Sequence, residues 1–242
     1  MHSITIVIPA YNEERRLPAT LSAVLAHLRE REWRFAEVLV VDDGSTDATV
    51  GVAEEFCRSH PAVRLLKNPG NRGKGYSVRH GMLEAKGDWA LFSDADLSAP
   101  IEEMDKLVEA AEGRGAAVAI GSRALDRSLI AVHQSFFRES AGRVFNLLMQ
   151  LLTGLRFQDT QCGFKLFEAG AAREVFRRQR LERFGFDAEV LFIARRLGYL
   201  TVEVPVRWSH SEGTKVSMFR DSLNMFLDLL RVRWHQFRGR YR

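Results

Sequence analysis

Apolar residues in the first 125 positions follow two alternating patterns. Short apolar runs at 4–8, 38–41, 63–66, 89–92 and 118–120, the first of them β-branched, read as buried strands. Between them, Leu17, Leu21, Val24, Leu25 and Leu28 recur at helical spacing, as do Val50, Ala53 and Phe56, residues 76–85, and Met104, Leu107, Val108 and Ala111. Pro9 stops the first run, and Asp42-Asp43-Gly44-Ser45 stops the second. Thr46 or Asp47 is placed to cap the helix that follows. Regular alternation of strand and helix predicts an α/β fold, with a mostly parallel sheet and helices on both faces.

The second half is less regular. It predicts a helix over 136–152, a strand over 162–167, a helix over 186–197 and a strand over 200–206. Phe219, Leu223, Phe226, Leu227, Leu230, Trp234 and Phe237 then form one stripe, which predicts a C-terminal amphipathic helix. No repeat or linker divides the chain, so a single domain is expected over 1–232.

Composition adds limits. The 242 residues are 46% hydrophobic and 27% charged, ordinary for one substantial globular domain. After Asp228 there is no acid, while Arg231, Arg233, Arg238, Arg240 and Arg242 follow, so 233–242 reads as a basic tail suited to phosphate. Cys57 and Cys162 form no paired-cysteine metal motif, which fits a reducing, cytoplasmic setting. The chain enters a strand pattern at once, so no signal peptide is expected. No apolar stretch approaches the ~18 residues of a membrane span. The richest, Leu147-Leu148-Met149-Gln150-Leu151-Leu152, is too short, so any contact with a membrane would be peripheral. No reading helix for nucleic acid is evident.

In open parallel sheets, ligands bind beyond the carboxyl ends of the strands. The polar clusters fall there. Tyr11-Asn12-Glu13 follows the first strand, Asp42-Asp43 the second, Asp94-Ala95-Asp96 the fourth and Arg123 the fifth. Asp94 and Asp96 can share one Mg²⁺ or Mn²⁺, which prefer oxygen ligands and share them with phosphates. Asp42 and Asp43 serve either a turn or a base and ribose; Tyr11 either packs at the rim or stacks on a base, with Glu13 accepting beside it. Gly70-Asn71-Arg72-Gly73-Lys74-Gly75 matches neither a P-loop nor a dinucleotide fingerprint; it is either a plain surface loop or one whose Lys74, with Arg79, offers charge to a phosphate.

Taken in order, Pro9-Ala10-Tyr11-Asn12-Glu13, Asp42-Asp43-Gly44-Ser45-Thr46-Asp47, Gly73-Lys74-Gly75 and Asp94-Ala95-Asp96-Leu97-Ser98 resemble the family 2 glycosyltransferases of GT-A fold. Gly121-Ser122-Arg123, Asp159-Thr160-Gln161-Cys162-Gly163-Phe164-Lys165, Phe186-Asp187-Ala188-Glu189 and Glu203-Val204-Pro205-Val206 extend the likeness toward dolichyl-phosphate glucose and mannose synthases. The likeness spans roughly residues 3–232.

This resemblance implies a nucleotide-sugar half, 1–125, and an acceptor half, 126–232. Pro9, Tyr11, Glu13, Val41 and Asp43 would contact the nucleoside. Asp94, Ala95 and Asp96 would carry the cation and diphosphate, with Lys74 beside them and Ser98 as a further contact. Arg123 would face the donor sugar or the acceptor phosphate, Arg138 a second phosphate, and Lys215 would sit on a loop that closes over the donor. The implied reaction inverts the anomeric carbon and moves one hexose, glucose from UDP-glucose ahead of mannose from GDP-mannose, to a polyprenyl phosphate. Asp96, Arg123, Arg138 and Asp187 are then the catalytic set. A hydroxyl acceptor would instead need Asp187 or Glu189 as base. A sugar-binding scaffold without turnover is the non-enzyme alternative. Gln179-Arg180-Leu181-Glu182-Arg183-Phe184 misses the Q-x-x-R-W spacing of processive relatives. With no spanning helix predicted, either the amphipathic stripe lies on a bilayer or a partner or second copy anchors the chain.

Overall fold

The computed structural model describes residues 2–129, 147, 149–209 and 218–242. The first half folds as its pattern predicts. Strands β1 (Ser3–Ala10), β2 (Phe35–Asp42), β3 (Val63–Lys67), β4 (Trp89–Ser93) and β5 (Val118–Ser122) alternate with helices α1 (Leu17–Arg29), α2 (Thr49–Ser59), α3 (Lys74–Glu84) and α4 (Glu103–Arg114). Neither cap candidate takes the role: the N-cap position is Ala48, without a side-chain cap bond, and Asp47 Oδ1 accepts the Thr49 amide at 3.0 Å from one residue earlier. The Thr46 amide instead donates to Asn12 Oδ1 at 2.8 Å.

The second half adds β6 (Phe164–Glu168), α5 (Ala169–Arg178), α6 (Phe186–Arg196), β7 (Thr201–Pro205) and α7 (Met218–Phe237). Helix α5 has no counterpart in the expected elements. Of the helix expected over 136–152, residues 147 and 149–152 are helical; 136–146 and 148 lie outside the described residues.

All seven strands join one sheet in the order β3-β2-β1-β4-β6-β5-β7. β1 pairs in parallel with β2 and β4, and β5 with β7, whereas β6 is antiparallel to both neighbours. Six strands therefore end on one rim, and β6 begins there. Register keeps that rim level: Ala10 lies opposite Asp42, Ser93 opposite Phe164, and Ile120 opposite Lys165.

Each face buries its own core. Ile4, Ile6, Val38, Val40, Leu91 and Leu166 meet the apolar faces of α1 and α4. Val7, Leu39, Val41, Phe92, Ile120 and Phe167 meet α3, α5, α6 and α7. The sheet is thus covered on both sides, as its continuous apolar strands require.

At the C-terminus, the core does not take up the described stripe residues Leu227, Leu230, Trp234 and Phe237. Leu229 and Val232 are buried, whereas Leu227, Leu230, Trp234 and Phe237 stand exposed on another face. Nor is 233–242 only a basic tail. Residues 233–237 complete α7, Gly239 turns the chain at φ +69°, and Tyr241 returns to the core at 3% exposure, its ring 6.0 Å from that of Phe192. An aromatic ring able to bury its body and satisfy its hydroxyl outweighs the pull of flanking arginines toward water.

Candidate active site

Two loops lace the near side of the rim together. Asn12 sits at φ +54°, its amide donating to Ser45 Oγ at 2.9 Å. The Glu13 amide donates to Thr49 Oγ1 at 2.7 Å. The Glu13 carboxylate takes a two-pronged bond from Arg16, at 2.6 and 2.7 Å. Tyr11 stands 37% exposed above them, and Pro9 is half-buried.

The acidic pair after β2 is more structural than its exposed, loop-like sequence suggests. Asp42 accepts the Gly44 and Ser45 amides and closes the turn. Asp43 is buried and pins the glycine-rich loop. Its Oδ1 accepts Asn68 Nδ2 at 2.8 Å and the Arg72 amide at 3.0 Å, and its Oδ2 accepts the Gly73 amide at 2.7 Å. Val41 is wholly buried in the second core, so its side chain does not face the rim. The Ala95 side chain is buried as well, and its carbonyl accepts the Thr20 hydroxyl.

The pinned loop delivers Lys74. Gly73 has φ +110°, and a Cβ there would stand 2.6 Å from the Glu182 carbonyl oxygen, so only glycine fits. Gln179 Nε2 holds the Gly75 carbonyl at 2.8 Å, and the Tyr76 amide donates to the Glu182 carbonyl at 3.0 Å. The segment that only approaches a processivity motif thus cradles the loop. So supported, Lys74 Nζ lies 2.5 Å from Asp94 Oδ1. Burial works against its charge, but Asp94, Asp187 and Asp96 outweigh that and hold the ammonium above its ordinary range.

Asp94 and Asp96 follow β4 and are half-buried. Asp96 Oδ1 accepts the Ser98 amide at 3.0 Å, across Leu97 at φ +45°. Asp94 rests on Gly163, where a Cβ would come within 2.2 Å of its Oδ2. Beneath them, Lys165 is fully buried; it forms an ion pair with Asp187 and donates to the Cys162 carbonyl at 2.7 Å. Burial raises the Asp187 carboxyl, with Lys165 and Lys74 pulling it back down. Four side chains therefore alternate in charge: Lys165, Asp187, Lys74 and Asp94.

Glu189 does not belong to this group. Its carboxylate accepts the Arg180 and Leu181 amides and the Tyr241 hydroxyl, the last at 2.6 Å. It is a structural brace, not an available base.

Arg123 leaves β5 on the far side. Its Nε and Nη2 reach Asp159 at 2.6 and 2.9 Å, its amide donates to the same carboxylate, and its guanidinium lies 5.4 Å from the centre of the Trp208 ring. Asp159 belongs to a quoted motif, but no feature of the sequence alone paired it with Arg123. Arg138 and Lys215 lie outside the described residues. The rim thus brings together Lys74, Asp94, Asp96, Arg123 and Asp187, with Pro9, Tyr11 and Glu13 on its near side.

The Arg123–Asp159 pair generates a pH-dependent prediction. Burial would raise the Asp159 carboxyl, but Arg123 outweighs burial and holds it at about 2. A depressed carboxylate contributes stability above its unfolded pKa and loses it as pH falls through the folded one, here roughly 2 kcal/mol. Denaturant titrations should therefore show the greatest destabilisation by Asp159→Asn above pH ~5, shrinking as pH approaches ~2. A difference independent of pH would refute the pairing as the cause.

Comparison with known proteins gives the site its context. The model of the family described as Glycosyl transferase family 2 matches residues 5–176. The dolichyl-phosphate beta-glucosyltransferase of Drosophila melanogaster is 43% identical over 95% of this chain and 74% of its own length. That of Homo sapiens is 37% identical over 99% of this chain and 77% of its own. Among solved structures, glucosyl-3-phosphoglycerate synthase from Mycobacterium tuberculosis, in complex with Mn²⁺, UDP and glucosyl-3-phosphoglycerate, superposes with TM-score 0.69. It is 19% identical and covers 96% of this chain and 80% of its own. Mannosyl-3-phosphoglycerate synthase from Rubrobacter xylanophilus gives 0.68 at 20% identity, over 99% and 75%. The structural likeness establishes the GT-A fold, and together with the family match it shows that the chain belongs to the family 2 glycosyltransferases.

Proposed function

We propose that this enzyme transfers one glucose from UDP-glucose to a polyprenyl phosphate of dolichyl type, with inversion at the anomeric carbon. One observation carries the choice of acceptor. Both acids that could deprotonate a hydroxyl are engaged, Asp187 by Lys165 and Glu189 by Tyr241 and two amides. A phosphate oxygen is anionic near neutral pH and needs no such base. Catalysis then falls to positioning and charge. The 33–43% identity to dolichyl-phosphate beta-glucosyltransferases supports the sugar and the lipid.

The donor set fits a divalent cation. Asp94 and Asp96 offer hard oxygen ligands, and Lys74 Nζ beside Asp94 supports a place for positive charge there. Asp94 and Asp96 would hold Mg²⁺ or Mn²⁺, which would supply neutralisation of the leaving diphosphate. Lys74 binds the same diphosphate from the glycine-rich loop. Tyr11 and Glu13 border the nucleoside, and Asp43 positions the loop from beneath. Arg123, kept rigid by Asp159, presents its remaining guanidinium edge to the acceptor phosphate. Arg138 and Lys215 are assigned, on resemblance alone, to a second phosphate contact and to the donor.

Transfer should be read by extracting label from UDP-[¹⁴C]glucose into organic solvent with polyprenyl phosphate and Mn²⁺. Label in the lipid phase, lost on Asp96→Asn, is the expected result. Label appearing only with GDP-mannose would reassign the donor; label confined to water-soluble product would sink the lipid acceptor.

Among the described residues no helix is long and apolar enough to cross a membrane. The exposed face of α7 supports peripheral binding. Leu227, Leu230, Trp234 and Phe237 follow one another at spacings of three and four, Arg238 lies 4.6 Å from the Trp234 ring centre, and Arg231, Arg233, Arg240 and Arg242 are exposed nearby. An apolar face edged with arginine suits an anionic bilayer surface. The two free thiols fit the cytoplasmic face. Because Val232 and Tyr241 are core residues, deleting 231–242 would damage the fold, and point changes are the sounder test. Trp234→Ala with Phe237→Ala should reduce co-sedimentation with phosphatidylserine-containing liposomes severalfold. Unchanged sedimentation would leave anchoring to a partner or to a second copy.

A further inference from the structure

Lys74 is set up to do more than wait for a phosphate. Its ammonium already occupies the Asp94 carboxylate at 2.5 Å. The loop that carries it is fixed at several points: Gly73 is tied to Asp43, the Gly75 carbonyl to Gln179, and the Tyr76 amide to Glu182. Asp94 is fixed too. The Gly163 backbone packs against its carboxylate, and the Asp94 amide donates to the Gly163 carbonyl at 3.2 Å. The backbones on both sides of the pair are thus held in place.

The ligand count points the same way. Among the described residues, no group of three His, Cys, Asp or Glu is arranged to hold a metal ion. The rim offers Asp94 and Asp96, and Asp94 is already paired with Lys74. A divalent cation arriving alone would find few protein ligands and would be repelled by Lys74 at short range. A nucleotide diphosphate changes both terms. It brings oxygen ligands to the cation, and it brings negative charge that can take Lys74 from Asp94.

Resting on the donor-site reading above, we infer that Lys74 is a resident counter-cation of Asp94, exchanged for the divalent ion only when a nucleotide diphosphate binds. Metal and diphosphate then enter as one unit. Asp94 passes from the ammonium to the metal, and the ammonium passes to the diphosphate.

The test is a Mn²⁺ titration of the full chain, following the electron-paramagnetic signal of free Mn²⁺, with and without UDP. In the wild type, UDP should tighten Mn²⁺ binding by at least ~10-fold. Lys74→Gln should bind Mn²⁺ alone at least ~10-fold more tightly than the wild type does, and Lys74→Arg should retain the wild-type pattern. Circular dichroism checks that both variants fold. Retained synergy with UDP in the wild type, but no tightening in Lys74→Gln, would overturn the counter-cation and leave the donor site standing. Tight Mn²⁺ binding by the wild type without nucleotide would overturn it with no variant at all. Absence of any Mn²⁺–UDP synergy in the wild type would instead remove the donor-site reading beneath it.

Discussion

The site is built on a line of alternating charges, Lys165, Asp187, Lys74 and Asp94, that runs from the core to the rim. Its inner end is costly. Lys165 is wholly buried and Asp187 nearly so, and a buried ion pair repays its desolvation only with good geometry and further hydrogen bonds. Here Lys165 also bonds the Cys162 carbonyl and lies 5.2 Å from the centre of the Phe92 ring. Such a pair is a weak source of stability. What it does provide is a fixed charge beneath the surface, against which Lys74 and Asp94 are set.

The sheet topology makes this line possible. Were β6 parallel to its neighbours, it would bring its carboxyl end to the rim and leave residues 159–163 on the far side. Because it runs the other way, the segment entering it lies at the rim. That one reversal puts Asp159 against Arg123, Gly163 beneath Asp94, and Lys165 a residue into the core, below the line of acids. The strand also separates β4 from β5, which sets Arg123 across the site from Asp94 and Asp96.

Much of this could be read from the chain. The short apolar runs of the first half, each bounded by turn residues, became β1 to β5, and the polar clusters after them came to the predicted rim. The reversal of β6 could not be read, because local apolar pattern does not encode which strand a strand will pair with. Helix α5 leaves little trace in the sequence because Ala171 and Ala172 make up half of its buried face, a faint periodicity beside that of leucines. Two residues do carry a signal in the sequence. Lys165 interrupts the apolar run Phe164-Lys165-Leu166-Phe167, and a lone charge there implies a buried partner. Tyr241 is one aromatic among arginines, and its contact with Glu189 spans 52 residues. That contact turned a candidate base into a brace and a solvated tail into part of the core. Asp43 shows the same limit: its sequence context suits a ligand contact, while its bonds are to the loop that carries Lys74.

The most direct measurement is a crystal structure of this protein with Mn²⁺ and UDP, with anomalous diffraction used to locate the metal. The account predicts a peak bonded to Asp94 or Asp96 and to a diphosphate oxygen, with Lys74 Nζ moved from Asp94 onto the diphosphate and the Lys165–Asp187 pair intact. A metal bound elsewhere, or Lys74 still bonded to Asp94 with the diphosphate in place, would contradict it.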